Sequence, residues 1–268
     1  MGRALVCTQN QSVDIEAFMR EGYVAIRGAF DERIASACRD VIWSALSERG
    51  ISRADRATWT PPLVRIACPE GEPFAAAAAS PQLSAAYDEL IGVGRWIPRG
   101  GVGGTVPVRF PSEDYPGEVG YHIEGTWWGG SEYWTNVRSK GRGLLALFLF
   151  TDVGADDAPT RLIAGSHFYM PPILAAAGES GMPISEVAAK TRPSILCRRA
   201  IEATGRAGDV FLCHPFIVHT ATWPHRGTGP RMIAQPAIDA PDGFDLSGSD
   251  PSPVAQAIFR GLSEALAP

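Results

Sequence analysis

Cysteine is scarce and scattered in this chain of 268 residues. The five cysteines form no Cys-x-x-Cys pair; they are Cys7, Cys38, Cys68, Cys197 and Cys213. An odd, dispersed set argues against a disulfide scaffold and fits a reducing compartment. Structural zinc is also disfavoured, because such sites need thiolate pairs at short spacing. We therefore expect a cytoplasmic protein.

The chain also lacks clustered charge of one sign and long apolar runs. Its 24 basic and 29 acidic residues give a net charge of −5 without a basic cluster, which argues against a nucleic-acid partner. The longest apolar run, residues 144–150, is far shorter than the ~20 residues of a membrane-spanning helix. The N-terminus has no basic region followed by an apolar core, so no signal peptide is predicted. These absences favour a small-molecule substrate and no membrane partner, and they leave the oligomeric state open.

Several common catalytic motifs are missing as well. Gly165-Ser166-His167 lacks the Gly-x-Ser-x-Gly elbow of serine hydrolases. The glycine-rich turn at residues 100–104 is not followed by Lys-Ser or Lys-Thr, as a phosphate-binding loop would be. No Pro-Cys-x-x-Cys segment is present, which a zinc deaminase would require. The chemistry must therefore come from other residues.

A His-x-Glu motif is the first positive signal. His122 and Glu124 are separated by one residue and flanked by Gly120 and Gly125. We predict a strand at residues 121–124, and side chains two positions apart on a strand point to the same side. The imidazole and the carboxylate can then reach one metal ion. An isolated His-x-Glu pair is more often exposed to water, so the metal interpretation depends on a further ligand elsewhere.

A second segment with metal-binding potential lies at residues 208–219. It contains His214 and His219, which are five apart, so a regular strand would place them on opposite faces and only one would be a ligand. His225 is the remaining candidate downstream. Two histidines and one carboxylate form a facial triad that leaves positions on Fe(II) open for substrate and oxygen. Arg231 follows twelve residues after His219, and its guanidinium suits the far carboxylate of a keto acid.

The order of these motifs resembles that of the phytanoyl-CoA dioxygenase family of Fe(II)/2-oxoglutarate oxygenases. The similar parts are the His-x-acid motif, the Gly-Asp to His-Pro to His segment at 208–219, and the arginine after it. Residues 158–167 are similar to the family's Pro-Gly-Ser-His turn, with Ala164 in place of proline. The resemblance extends over most of the chain, about residues 15–235. One departure is Glu124, because the family usually has aspartate at that position.

The resemblance implies a ligand set and a cosubstrate. The implied metal ligands, which are also the catalytic residues, are His122, Glu124 and His219. The implied cofactors are Fe(II) and O2 with 2-oxoglutarate as cosubstrate, and Arg231 would bind the distal carboxylate of that cosubstrate. Arg109 and Thr160 are further candidates for cosubstrate binding, and a salt bridge is an equally good interpretation of Arg109.

The substrate is less well specified than the cofactors. Trp127, Trp128 and Trp134 follow the His-x-Glu motif, and we expect Trp128 to line a substrate pocket, although core packing explains such residues equally well. The resemblance implies hydroxylation of an unactivated C–H bond in a small metabolite or natural-product intermediate. Desaturation, epoxidation and ring formation belong to the same chemistry. Two other functions stay open: a cupin-like metalloenzyme that does not use 2-oxoglutarate, and a non-catalytic jelly-roll ligand-binding protein.

The distribution of predicted helices and strands along the chain indicates a mainly β fold with flanking helices. A helical N-terminal third followed by many short strands favours a jelly roll braced by helices, and the family's cupin-like double-stranded β-helix is that architecture. We predict one domain at 1–268, with mostly helical support at 1–95, a jelly-roll core at 96–240 and a C-terminal helix at 250–268. Residues 171–206 form a long insertion in the core, and such insertions often act as lids.

Two local predictions bear on the core. The continuous apolar run at residues 143–151 predicts a central strand that is buried on both faces. Prolines interrupt residues 51–72, and we expect that stretch to be irregular.

Overall fold

The structure is a computed structural model that describes residues 12–117, 119–191 and 193–265. The outer limits of the predicted domain, Cys7 and the last three residues of the predicted C-terminal helix lie outside these ranges. Within them, no helix combines the length and the apolar character needed to cross a membrane.

Helices make up most of the N-terminal third and recur after the core. Asp14 caps the first of them by accepting a hydrogen bond from the N–H of Ala17 at 2.8 Å, and Gly22 ends it with a φ of 83°, where glycine is favoured. The α-helices of the described residues are α1 (Ile15–Glu21), α2 (Glu32–Ser47), α3 (Glu72–Ala78), α4 (Pro81–Leu90), α5 (Met170–Ala175), α6 (Ile184–Lys190), α7 (Pro193–Leu196) and α8 (Pro253–Ala265).

The strands are short and begin near the N-terminus. In the described residues they are β1 (Tyr23–Ile26), β2 (Leu63–Ala67), β3 (Thr105–Arg109), β4 (Trp127–Trp128), β5 (Tyr133–Thr135), β6 (Leu144–Leu149), β7 (Arg161–Ile163), β8 (Met182–Pro183), β9 (Ala200–Glu202), β10 (Val210–Cys213), β11 (His219–Thr220), β12 (Ile233–Ala234) and β13 (Ala237–Ile238).

In the part of the chain that the structure describes, the strands form antiparallel sheets that do not close into a barrel. The largest sheet has the order β1-β10-β6-β12, and β13 also pairs with β6. Smaller sheets have the orders β11-β7-β9, β4-β5-β8 and β2-β3. The predicted class, mainly β with flanking helices in a jelly-roll arrangement, is confirmed.

Strand β6 is the centre of the core, and every residue in it is buried. Leu144, Ala146 and Phe148 belong to the apolar cluster that includes the helices. Leu145 and Leu147 point the other way, into a second cluster that contains Leu162 of β7. Because both faces of β6 are covered, its sequence is continuously apolar rather than alternating.

Two of the local predictions were wrong. Residues 121–124 do not form a strand; His122 makes only an isolated antiparallel bridge with His219. The stretch predicted to be irregular contains β2, which pairs with β3 along its whole length, from Leu63 opposite Arg109 to Ala67 opposite Thr105. Four of the five residues of β2 are apolar, but Pro61, Pro62 and Pro69 lie on either side of it and led to the prediction of an irregular stretch.

The long insertion at residues 171–206 contributes one strand to each of two sheets. Its β8 pairs with β5, and its β9 pairs with β7. Helix α6 follows β8 directly, and the Ser185 hydroxyl and N–H both bond to Glu132 in the turn between β4 and β5. A lid role for this insertion stays a prediction.

Candidate metal centre

His122 and His219 are held side by side by their backbones. Each N–H donates to the other residue's carbonyl, at 3.0 and 2.9 Å, and the ring centroids are 4.5 Å apart. Each Nδ1 lies near the carbonyl oxygen two residues earlier, at 2.7 Å from Gly120 and 3.1 Å from Ile217. A carbonyl can only accept, so both Nδ1 atoms carry the proton and both Nε2 lone pairs are available to a metal.

The carboxylate of Glu124 completes a set of three donors. Its Oε1 lies 3.4 Å from Nε2 of His219, and one donor atom from each of His122, Glu124 and His219 lies within 4.8 Å of the others. Ligand atoms bound ~2.1 Å from one metal at right angles stand roughly 3 Å apart, so small side-chain adjustments would bring the three onto one ion. Two imidazoles and a carboxylate also match the facial donor set of non-haem iron sites.

The protonation states of these side chains suit a cation. Burial raises the pKa of Glu124, but the adjacent His219 and the charge of Arg142 outweigh it, so the pKa falls to about 2. Burial lowers the pKa of His122, and the neighbouring His219 lowers it further. An ionised carboxylate beside a neutral imidazole is the state that binds metal without first losing a proton.

A glycine follows Glu124 because β5 crosses its backbone closely. A Cβ at Gly125 would clash with the Cβ of Tyr133 and come within 3.1 Å of Ile184. The flanking glycine of the sequence motif therefore has a packing reason.

A cavity of about 470 Å³ opens at the three donors. Its walls include Arg109, Thr160 and Arg231, which were the three residues predicted to bind the cosubstrate. All three are buried. Arg109 and Arg231 are neighbours, because each backbone N–H donates to the other's carbonyl, at 3.0 and 2.8 Å. The structure therefore brings the predicted cosubstrate residues and the predicted ligands to one cavity.

Arg231 is a buried cation, with only 2% of its surface exposed. Its Nη1 donates to the carbonyl of Ala158, and its Nε has no hydrogen-bond partner among the described residues. Burial, followed by the charge of Arg109, lowers the pKa of Arg231 to about 9, which leaves the guanidinium charged at neutral pH. A buried donor without a partner costs about 1–3 kcal/mol, so this side chain is suited to an incoming anion.

Trp128 does not reach this cavity. It lies on β4 with 58% of its surface exposed and makes an edge contact with Tyr133, at 5.2 Å between ring centroids. Its role in substrate binding stays a prediction.

The other described histidines face elsewhere. His214 is buried, and its two ring nitrogens are bonded to Val254 O at 3.3 Å and to Phe216 N–H at 3.1 Å. His167 packs against it at 4.9 Å between ring centroids, and its Nε2 lies 3.2 Å from the carbonyl of Met19. His225 pairs with Ser112 through backbone hydrogen bonds.

Sequence reasoning missed three residues around the site. Arg65 and Gln235 line the cavity, and Arg142 lies with one Nη atom 3.8 Å from Oε2 of Glu124. Arg142 carried a usable signal, because it directly precedes the apolar run that becomes β6, just as Arg231 precedes the apolar residues of β12. A charged residue at the start of a buried strand needs a partner.

Comparison with known proteins agrees with the motif order. The model of the family described as Phytanoyl-CoA dioxygenase (PhyH) matches residues 117–233, a range that contains all three candidate ligands and Arg231. A comparison with curated proteins finds no match.

Two solved structures of similar fold come from nogalamycin biosynthesis. The non-heme alpha ketoglutarate dependent carbocyclase SnoK from nogalamycin biosynthesis aligns with a TM-score of 0.57 and 18% identity, over 82% of this chain and 80% of SnoK. The epimerase SnoN from the same biosynthesis aligns with a TM-score of 0.52 and 18% identity, over 82% and 79% of the two chains. At such low identity, these structures support the fold alone.

The family model covers residues 117–233, less than half of the chain, and this match confirms the resemblance drawn from the sequence without extending it to the remaining residues.

Proposed function

We propose that this chain is a non-haem Fe(II)- and 2-oxoglutarate-dependent oxygenase that hydroxylates an unactivated C–H bond of a small metabolite or natural-product intermediate. One observation carries the proposal: the donors of His122, Glu124 and His219 meet in the same cavity as the buried cation of Arg231. A bound metal ion alone would explain why the three donors converge, but it would not explain the buried Arg231. The need for an anion in the same cavity favours a keto-acid cosubstrate.

In this proposal His122, Glu124 and His219 hold the iron. When bound, the iron supplies the activation of O2 that accompanies oxidation of 2-oxoglutarate to succinate and CO2, which amino-acid side chains cannot perform. The protonated Nδ1 atoms of the histidines, tied to backbone carbonyls, fix the orientation of both rings. The protein thus contributes three donors, and the rings of two of them are fixed by backbone carbonyls.

Arg231 is assigned to the distal carboxylate of 2-oxoglutarate. Its guanidinium can offer two parallel N–H groups to a carboxylate, a geometry that lysine cannot reproduce. Arg109 and Thr160 share the cavity wall and are assigned supporting contacts to the same cosubstrate. Because these side chains are buried, an anion that reaches them is shielded from water, which strengthens its attraction to both arginines.

The test is 2-oxoglutarate binding and turnover with an Arg231→Ala variant. Anaerobic protein loaded with Fe(II) is titrated with 2-oxoglutarate, and succinate is then measured after oxygen is admitted. We expect Arg231→Ala to weaken 2-oxoglutarate binding by roughly 10- to 100-fold, since hydrogen bonds to charged groups contribute about 1.5–3 kcal/mol. Arg226→Ala is the matched control, because Arg226 is exposed and pairs with Glu113; it should bind 2-oxoglutarate as the wild type does.

Each other outcome has a distinct meaning. Unchanged 2-oxoglutarate binding and succinate release in Arg231→Ala would contradict the role assigned to Arg231. Metal retention by the wild-type protein without succinate release would favour a cupin-like metalloenzyme that does not use 2-oxoglutarate, and failure to retain metal would favour a non-catalytic binding protein. Hydroxylation is distinguished from desaturation and ring formation by a product that has gained one oxygen atom.

A further inference from the structure

Arg142 lies behind the carboxylate of Glu124 and is itself firmly held. Its Nε and Nη2 both donate to the carbonyl of Gly125, at 3.2 and 2.9 Å. The guanidinium of Arg142 therefore holds the backbone at Gly125, the residue directly after Glu124. The same Nη2 lies 3.8 Å from Oε2 of Glu124, so the charge also faces the carboxylate.

The turn that carries Arg142 is built to hold it. The N–H of Arg142 donates to Ser139 O at 3.0 Å, and its carbonyl accepts from the Ser139 hydroxyl at 2.8 Å. Ser139 has a φ of 47°, a left-handed conformation that costs a non-glycine residue roughly 1–3 kcal/mol. Gly141 and Gly143 on either side donate to carbonyls of Ala240 and Ile238, at 2.9 and 2.7 Å. The backbone from which the Arg142 side chain extends is thus fixed by a network of hydrogen bonds.

The two oxygens of Glu124 face different partners. Oε1 lies 3.4 Å from Nε2 of His219, and Oε2 lies toward Arg142. Glutamate has one more rotatable bond than the aspartate usual at this position, so its carboxylate has more freedom to lose when it binds a metal. A fixed cation at Oε2 restricts that freedom and leaves Oε1 directed at the histidines.

We propose that Arg142 is a positioning residue that orients Glu124, so that Oε1 is presented to the metal while Oε2 is held by the guanidinium. This inference rests on the proposed function, because it takes His122, Glu124 and His219 as the ligands. It also gives a physical reason why glutamate can serve at this position: the arginine supplies the rigidity that the shorter side chain has by itself.

Two effects of Arg142 on metal binding have opposite signs. Its charge repels a divalent cation whether or not Glu124 is present, whereas positioning acts only through Glu124. The loss of either effect changes affinity, so a single substitution does not separate them. A double-mutant cycle does, because it isolates the part of the Arg142 effect that requires Glu124.

The experiment measures Ni²⁺ binding to four apo proteins: wild type, Arg142→Met, Glu124→Ala and the double variant. We expect Arg142→Met to raise the Kd for Ni²⁺ about 10-fold more in the wild-type background than in the Glu124→Ala background, in line with the effect of partners that orient ligands. Arg138→Met serves as the control, because Arg138 bonds to Phe244 O and Glu179 instead of the site; it should leave the Kd unchanged.

The remaining outcomes decide against the inference. An equal change in both backgrounds would mean that Arg142 only supports the fold or only repels the ion. Tighter binding by Arg142→Met that appears only when Glu124 is present would mean that the arginine draws the carboxylate away from the metal. If the wild type itself binds no Ni²⁺, the ligand assignment in the proposed function falls and this inference falls with it.

Discussion

At the scale of single residues, the candidate site depends on which atoms of common side chains are left available. His122 and His219 use their Nδ1 atoms on backbone carbonyls, and this directs Nε2 toward Glu124. The sequence spacing alone could not choose among His214, His219 and His225. The choice of His219 came from the family resemblance, and the backbone bridge between His122 and His219 is what brings these two together in space.

A residue-scale prediction follows from this division among the histidines. His219→Asn should reduce Fe(II) or Ni²⁺ affinity by at least 10-fold, because it removes a donor from the three that converge. His225→Asn is the comparison, since His225 bonds to Ser112 in another loop and should leave the affinity unchanged. Metal titrations monitored by isothermal calorimetry measure the affinities of both variants. Equal losses in the two variants would contradict the ligand assignment.

At the scale of secondary-structure elements, strong local signals predicted the structure well. The continuous apolar run predicted to form a central strand became β6, which is buried on both faces. The failures share a physical cause. Strands of two or three residues such as β4 and β8 are stabilised by pairing with distant segments, so their own residues need not alternate. The same holds for the bridge at His122, which a distant segment creates.

Two buried histidines join the helical layer to the sheet. His214 comes directly after β10 and bonds to Val254 in α8, while His167 bonds to Met19 in α1. The N–H of Phe216 donates to Nδ1 of His214, so protonation of that atom would put two donors face to face. Burial lowers the pKa of His214 to about 3. Burial, followed by the charge of His214, lowers the pKa of His167 well below its usual value.

These shifts predict a loss of stability in mild acid. Both folded-state pKa values lie below the unfolded value of about 6.5, so the unfolded chain binds more protons as the pH falls. The stabilisation is complete above pH ~6.5 and declines as the pH falls toward the folded-state pKa. For His214, the free energy of unfolding should drop by about 1 kcal/mol between pH 6 and pH 5, and His167 should shift stability in the same direction.

Urea unfolding of the wild type and of His214→Gln at pH 7, 6 and 5 measures this dependence. The variant cannot take up the proton, so its stability should fall about 1 kcal/mol less than that of the wild type between pH 6 and pH 5, whatever its stability at pH 7. Parallel curves for the two proteins would show that His214 is not kept neutral by the fold.

At the scale of the whole molecule, the fold brings distant segments of the chain to one cavity. The ligands come from residues 122–124 and from β11, while Arg109 ends β3 and Arg231 precedes β12. The sequence predicted the fold class and named the ligand and cosubstrate candidates through its motifs. It did not reveal Arg142, whose link to Glu124 exists only after β6 and the turn before it have folded against Gly125.

The central claim is that one metal ion is bound by three side chains from two distant segments. The most direct measurement is a crystal structure of the protein grown without oxygen in the presence of Fe(II) and 2-oxoglutarate. We predict one iron within about 2.0–2.2 Å of Nε2 of His122, Nε2 of His219 and a carboxylate oxygen of Glu124, with 2-oxoglutarate reaching Arg231. An iron bound elsewhere, or bound without His219, would contradict the account.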